Sequence, residues 1–378
     1  MERCITAFSA RSTGRGQLDS FEEVYARLSG NGGQPKLIVF SSDLDNFMLY
    51  SGAFREKFPV SQIIGTTSFL NCSDECHAER GLAAMAIYSG IDCAGGVLEE
   101  CGRCPVKYIG EAETAISLLR LSKEDTGRTC CLEFTSAHGN CEELAIDTLR
   151  RAAGGADIPL FGSSAGVKKG TSCSFVSLNG RVYTDACVFM YLRNTRGRIS
   201  LIRGNTYRQT GHFFQATNVD CEKRTVYEFD GRTAGEYLSS LINIEIPVLE
   251  RELTFHPIGR IYDDNVYITD AKEIGEDMSV TFFSHIYNYS RLVLLEPDDA
   301  NNVKRQFIEK LESIGYTPSF SIAVNCFFDY GVFDSKGFSE EFIRYIGDKC
   351  GKYLGVSGCG EQIDNMHVNK TMLLAAFE

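Results

Sequence analysis

Apolar and polar positions along the chain form a pattern that returns three times. Lys36 to Phe40 is a short apolar run of strand length. Asp43 to Phe58 follows with Phe47, Leu49, Tyr50 and Phe54 spaced for one face of a helix, and the preceding serines and Asp43 supply a helix start. Gln62 to Ile64 is a second strand, running into Gly65, Thr66, Thr67 and Ser68. The pattern recurs as a strand at Thr129 to Phe134, a helix from Cys141 to Ala153 with Leu144, Ile146 and Leu149 on one face, and a strand ending in Gly162, Ser163, Ser164, Ala165 and Gly166. The third copy is a strand at Phe320 to Val324, a helix over about Ser339 to Tyr353, and a turn at Gly355, Ser357 and Gly358.

The first and third copies align without a gap. Gly65 matches Gly355, Asp74 matches Asp364, His77 matches His367, and the run Leu82 to Ile87 matches Met372 to Phe377. An internal duplication follows. Between the copies, about Cys173 to Leu295, short β-branched and aromatic runs predict a β-rich segment. Gly231 to Asn243 reads as a helix, and a final strand–helix pair spans Arg291 to Ile314, with Asp298 and Asp299 at the helix start. The expected fold is α/β: two related halves with mixed β-sheets flanked by helices and a β-rich middle segment. The division expected is 1–235 and 236–378.

Composition narrows the function classes. A formal charge of −12 repels phosphate backbones and anionic lipid surfaces, so neither nucleic acid nor a membrane surface is an expected partner. No window approaches the roughly 18 apolar residues that a membrane helix requires. The N-terminal residues contain no long apolar run of the secretory kind. Fifteen cysteines without framework spacing suit free thiols in a reducing cytoplasm.

Several motifs, in this order, resemble the FIST proteins, named for F-box and intracellular signal transduction. The N-terminal pattern is carried by Ile63 to Thr67, by Pro159 to Gly166, and by Asn179 to Asp185 with the strand after it. Tyr227 to Gly231, then Ala234, resembles the family's junction. The C-terminal pattern is carried by His256 to Gly259, Asn325 and Cys326, Gly355 to Glu361, and Asn369 to Thr371. The resemblance spans about residues 35 to 377. It implies a ligand-binding sensory module, with amino acids or similar metabolites as ligands. Its partner would be an output protein of chemotaxis-receptor, kinase or cyclase type. No such output segment is read here, so the chain is either stand-alone or a truncated sensor. The family often places an arginine after the position of Cys326, where this chain has Phe327 to Tyr330.

Strand ends that close in glycine and hydroxyl groups offer amides and hydroxyls to a small polar ligand. The residues expected to face it are Thr66, Thr67, Ser163, Ser164, His256, Asn325, Cys326, Ser357, Glu361 and Asn369. Pro257 stiffens the loop carrying His256, Glu361 lies among glycines, and Asn325 and Cys326 end a strand, where ligands of α/β sheets gather. Two chemical alternatives stay open. Gly162 to Gly166 matches a nucleophile elbow, so a serine or cysteine hydrolase would use Ser164 or Cys326, although the sequence after it reads as loop and strand. A haem-based gas sensor needs one axial histidine. Cys72, Cys76, Cys101 and Cys104 could hold zinc. No cofactor or catalytic set is nevertheless expected.

Overall fold

The structure, a computed structural model, describes residues 6–12, 17–30, 33–73, 76–79, 81–121, 125–136, 140–166, 173–326 and 348–378. The first unit contains β1 (Ala7–Arg11), α1 (Gln17–Leu28), β2 (Leu37–Ser42), α2 (Phe47–Lys57), β3 (Gln62–Thr67), β4 (Asn71–Ser73), β5 (Cys76–Glu79) and β6 (Leu82–Ile87). The second contains β7 (Ile91–Glu99), α3 (Ile109–Leu119), β8 (Thr129–Thr135), α4 (Glu142–Ala152), β9 (Leu160–Ser164), β10 (Val176–Leu178), β11 (Arg181–Tyr183) and β12 (Ala186–Asn194).

The third unit opens with β13 (Ile199–Asn205) and is then interrupted by an insertion. The insertion holds β14 (Tyr207–Asp220), β15 (Thr225–Phe229), β16 (Arg232–Thr233), α5 (Ala234–Ile242) and α6 (Ile246–Leu253). It continues through β17 (Ile258–Tyr262), β18 (Asn265–Thr269), β19 (Ala271–Ile274), β20 (Val280–Phe282) and β21 (Arg291–Pro297). The unit resumes with α7 (Ala300–Ser313), β22 (Phe320–Cys326), β23 (Lys352–Gly358), β24 (Glu361–Ile363), β25 (Met366–Val368) and β26 (Thr371–Phe377).

Each unit builds a six-stranded mixed sheet on one plan. The orders are β1-β6-β2-β3-β10-β11, β7-β12-β8-β9-β24-β25 and β13-β26-β22-β23-β4-β5. In each, the third and fourth strands run parallel and every other neighbour is antiparallel. The closing hairpin always comes from another unit. β4–β5 of the first unit completes the third sheet, β10–β11 of the second completes the first, and β24–β25 of the third completes the second. The exchange is cyclic, so no sheet is complete without a neighbouring unit. The first and third copies correspond as their alignment implies, and the middle copy follows the same plan.

The inner faces of the three sheets share one core, with Val39, Ile64 and Met85 from the first, Leu132, Phe161 and Met190 from the second, and Ile322, Leu354 and Leu373 from the third. Their outer faces are covered by helices in separate apolar layers. The insertion has its own core around Phe214, Phe229, Leu238 and Phe282. Residues 235 and 236, where the sequence reading divides the chain, lie in α5.

The glycine and hydroxyl turns meet where the three sheets converge. The Gly166 amide donates to the Thr67 carbonyl (2.7 Å), Cys359 to Ser164 (3.0 Å) and Phe69 to Ser357 (3.2 Å), which joins the units pairwise into a ring. The Thr67 hydroxyl donates to the Gly166 carbonyl (2.8 Å) and the Ser68 hydroxyl to the Ser357 carbonyl (2.9 Å). Two expected helix limits shift. The helix expected from Asp43 begins at Phe47, because Asp43 accepts from the Asn46 amide (3.2 Å) in a turn first. The helix expected from Gly231 begins at Ala234, after the β15–β16 hairpin. Of the helix expected from Ser339, the part before residue 348 lies outside the described residues, and Tyr353 belongs to β23.

Candidate ligand-binding cleft

The repeat supplies an internal comparison. Phe40 pairs with Gly65 in the first sheet and Glu133 pairs with Gly162 in the second, so they occupy matching positions. Phe47 opens α2 and Glu142 opens α4. In the first unit these positions are apolar: Phe40 packs on Phe47 (5.3 Å between ring centres) and on Phe54 (5.0 Å). In the second unit both hold carboxyl groups, 0% and 6% exposed. A buried carboxyl is costly unless it is neutral or paired. A fold that accepts phenylalanine at both places does not itself require them.

Each carboxyl meets this cost differently. Burial pushes Glu133 up to about 8, although the Thr135 hydroxyl (2.6 Å) and the Cys187 thiol (3.3 Å) donate to it. Burial would raise Glu142 too, but the Arg224 guanidinium at 2.6 Å outweighs it and holds Glu142 at about 2. Arg224 also contacts Glu143 and the Phe283 carbonyl. It sits at the β14–β15 turn with φ 55°, in the left-handed region. Non-glycine residues keep that conformation only where surrounding contacts fix it.

From Glu142 the network runs in two directions. The Ser164 hydroxyl donates to Glu142 Oε1 (2.9 Å) and accepts from Gln362 Nε2 (3.1 Å). The same amide donates to His367 Nδ1 (3.2 Å), which places the proton of a neutral His367 ring on Nε2. On the other side, the His285 amide donates to Glu143 Oε1 (2.9 Å). Gly360 has φ 133°, and a Cβ there would stand 2.6 Å from the His367 ring, so this turn admits only glycine beside the imidazole.

Of these groups, Glu143, His285 and His367 border a cleft of about 590 Å³. α4 contributes Glu143, Leu144, Ile146, Asp147 and Arg150. The exchanged β24–β25 hairpin contributes Asp364 to His367, and the insertion contributes Arg260, His285 and Tyr287. Three stretches distant in sequence therefore meet at one opening. Burial holds both His285 and His367 below the usual histidine range, against the opposing pull of nearby carboxylates, which keeps them neutral near pH 7. Burial likewise lowers Arg260 from its ordinary value.

The ten residues expected from sequence fall in three places. Thr66, Thr67, Ser163, Ser164, Ser357 and Glu361 surround the ring of turns and are at most 5% exposed. Among the described residues the Ser163 and Ser357 hydroxyls have no hydrogen-bond partner, and Glu361 accepts from the Thr371 amide (3.1 Å). Asn325 and Cys326 end β22 in the third sheet, Asn325 opposite Ser357. His256 lies in the insertion before β17, and Asn369 accepts from the Asp270 amide (3.2 Å) where insertion and third unit meet. None of the ten lines the cleft. Its residues carry no sequence motif; of them, Asp364 and His367 stood out, through their matches to Asp74 and His77.

The hydrolase alternative finds no support at Ser164. Its hydroxyl is 0% exposed and engaged by Glu142 and Gln362, and Gln362 separates it from His367. Of the cysteines considered for zinc, Cys72 and Cys101 lie in different apolar layers. Cys72 packs in the layer of Tyr353, Cys101 lies beside Cys141 in another layer, Cys104 is exposed, and the Cys76 side chain lies outside the described residues.

The model of the FIST N domain matches residues 37–232, more than half of the chain. The chain belongs to the FIST family. The matched span covers the first two units from β2 onward, β13 and the start of the insertion. The FIST family is one of signal-transduction sensors. Among curated proteins, this FIST chain is similar to a protein of Methanocaldococcus jannaschii described as uncharacterized. They are 23% identical over 349 residues, covering 86% of this chain and 67% of the relative. Among the described residues, no helix is long and apolar enough to cross a membrane.

Proposed function

We propose that the chain is the sensory part of a cytoplasmic signalling system. It binds a small polar metabolite, an amino acid or similar compound, in the cleft. A signalling partner of receptor, kinase or cyclase type reads the result. The observation that carries this reading is the composition of the cleft, whose walls come from the second unit, the hairpin of the third unit and the insertion. A ligand touching all three stabilises the arrangement that contacts it best, and it shifts the population only by that difference in affinity. Ser164 acts from behind the cleft by fixing Gln362 and Glu142. Family membership supports the signalling role.

The test is a thermal-shift panel on the full chain with amino acids, small carboxylates, nucleotides and haemin. A compound at 100 times its dissociation constant adds about 2.7 kcal/mol. At roughly 2–4 °C per kcal/mol, the melting temperature rises by about 5–10 °C. The reading expects such a shift with one class and no consumption of that compound. Turnover of the compound, or no shift with any class, would contradict it.

A further inference from the structure

Three buried cations stand where the insertion meets the three-sheet body. Arg224 is 3% exposed and pairs with Glu142 and Glu143. Lys370 is 0% exposed and pairs with Asp270 at 3.2 Å. Arg260 is 2% exposed and differs. Its terminal nitrogens donate to the His285 carbonyl (2.7 Å) and the His367 carbonyl (2.5 Å), and its Nε has no partner among the described residues. Among the described residues, no carboxylate forms an ion pair with it. It is also the one of the three that lines the cleft.

A guanidinium carries five N–H donors, and two are accounted for here. Buried charges are ordinarily paired, because an isolated one loses its hydration without compensation. The two neighbouring cations follow that rule. The exception faces an opening where a ligand can supply the missing charge.

We propose that Arg260 is the docking point for the carboxylate of a monoanionic ligand in this cleft. The proposal rests on the cleft being the ligand site, and it names the charged end of what binds there. A planar guanidinium edge matches the two oxygens of a carboxylate. The remaining charges of the cleft favour a single negative charge. Glu143 is held by Arg224, while Asp147 and Asp364 stand at the wall, Asp147 with Arg150 at 3.7 Å. A dicarboxylate or a phosphate dianion would bring its second charge toward those aspartates. Leu144 and Met366 offer apolar surface to the uncharged remainder.

The experiment titrates the full chain with hexanoate, hexanamide, succinate and inorganic phosphate. It follows calorimetric affinity, the NMR signal of Arg260 Nε–H and the Met366 methyl signal. Hexanoate is expected to bind and move both signals. Hexanamide, succinate and phosphate are expected to bind at least about 10-fold more weakly, the scale of one charged hydrogen bond. Arg260→Gln should weaken hexanoate by at least about 10-fold and Arg260→Lys by less. If Arg260→Gln does not fold, the wild-type Nε signal decides. Equal binding of acid and amide, or hexanoate binding with the Nε signal unmoved, overturns the assignment. Tighter phosphate or succinate overturns the single charge. An uncharged compound that moves Met366 but not Arg260 removes Arg260 and leaves the cleft. Binding that moves neither signal removes both, and no binding by hexanoate overturns the proposal.

Discussion

Glu133 and Glu142 are both buried in the layer between the second sheet and α4, yet they titrate in opposite directions. Among the described residues no cation stands beside Glu133, and burial raises it to about 8. Between pH 4.5, its ordinary value, and about 8, the folded chain holds a proton that the unfolded chain has lost. Stability therefore falls as pH rises through that window, by roughly 5 kcal/mol at most. Glu133→Gln should remove this slope. Its melting temperature should exceed wild type at pH 8, and the difference should close near pH 4.5. Glu142, held at about 2, contributes stability that is present above pH 4.5 and lost as pH falls toward 2. Arg224→Met leaves Glu142 and Glu143 buried without their cation. Urea unfolding at pH 7 should show a loss of about 3–5 kcal/mol, and a smaller loss at pH 4 where the carboxyls begin to protonate. A loss of similar size at both values would mean that packing, and not charge, is what Arg224 supplies.

At the level of elements, much was legible because local pattern and final structure agree. α4 lies within one residue of its expected limits at both ends, since Leu149 and Ile146 face the sheet and Cys141 stands at the start. The start of α7 was legible through Asp299, whose carboxylate accepts from the Asn301 and Asn302 amides (3.0 and 3.2 Å). The three glycine turns were legible because close strand packing demands small residues. A Cβ on Gly162 would stand 2.0 Å from the Glu133 carbonyl oxygen. Gly162→Ala should therefore cost about 1–3 kcal/mol, whereas Gly52→Ala, inside α2 with nothing within 4 Å, should add about 0.5–1 kcal/mol. Chemical denaturation of the two variants checks the contrast. The cleft was not legible. Glu143, Arg260 and Met366 come from three distant stretches, and no spacing rule links residues brought together by an exchanged hairpin and an insertion.

At the scale of the molecule, the cyclic exchange ties the three units together. The strand–helix–strand repeat was visible in the sequence, but the hairpins between copies gave no sign of which sheet they would join. Exchange has a consequence for where damage is felt. Ile363 belongs to the third unit by sequence, yet it pairs with Phe161 in the second sheet. Ile363→Ala should speed amide hydrogen exchange in β9 more than in β22 or β23. Faster exchange confined to β22 and β23 would contradict the assigned pairing. The insertion is the largest departure from the common plan, and it supplies Arg260, His285 and Tyr287 to a site whose other walls belong to the repeated body. The account holds that a ligand joins these parts. The direct test is hydrogen–deuterium exchange on the full chain, with and without the panel compound that gives the largest thermal shift. Slower exchange is predicted together in the first turn of α4, in the β24–β25 hairpin and in residues 283–288. Protection elsewhere, with these three segments unchanged, would contradict the claim that this cleft is the sensory site.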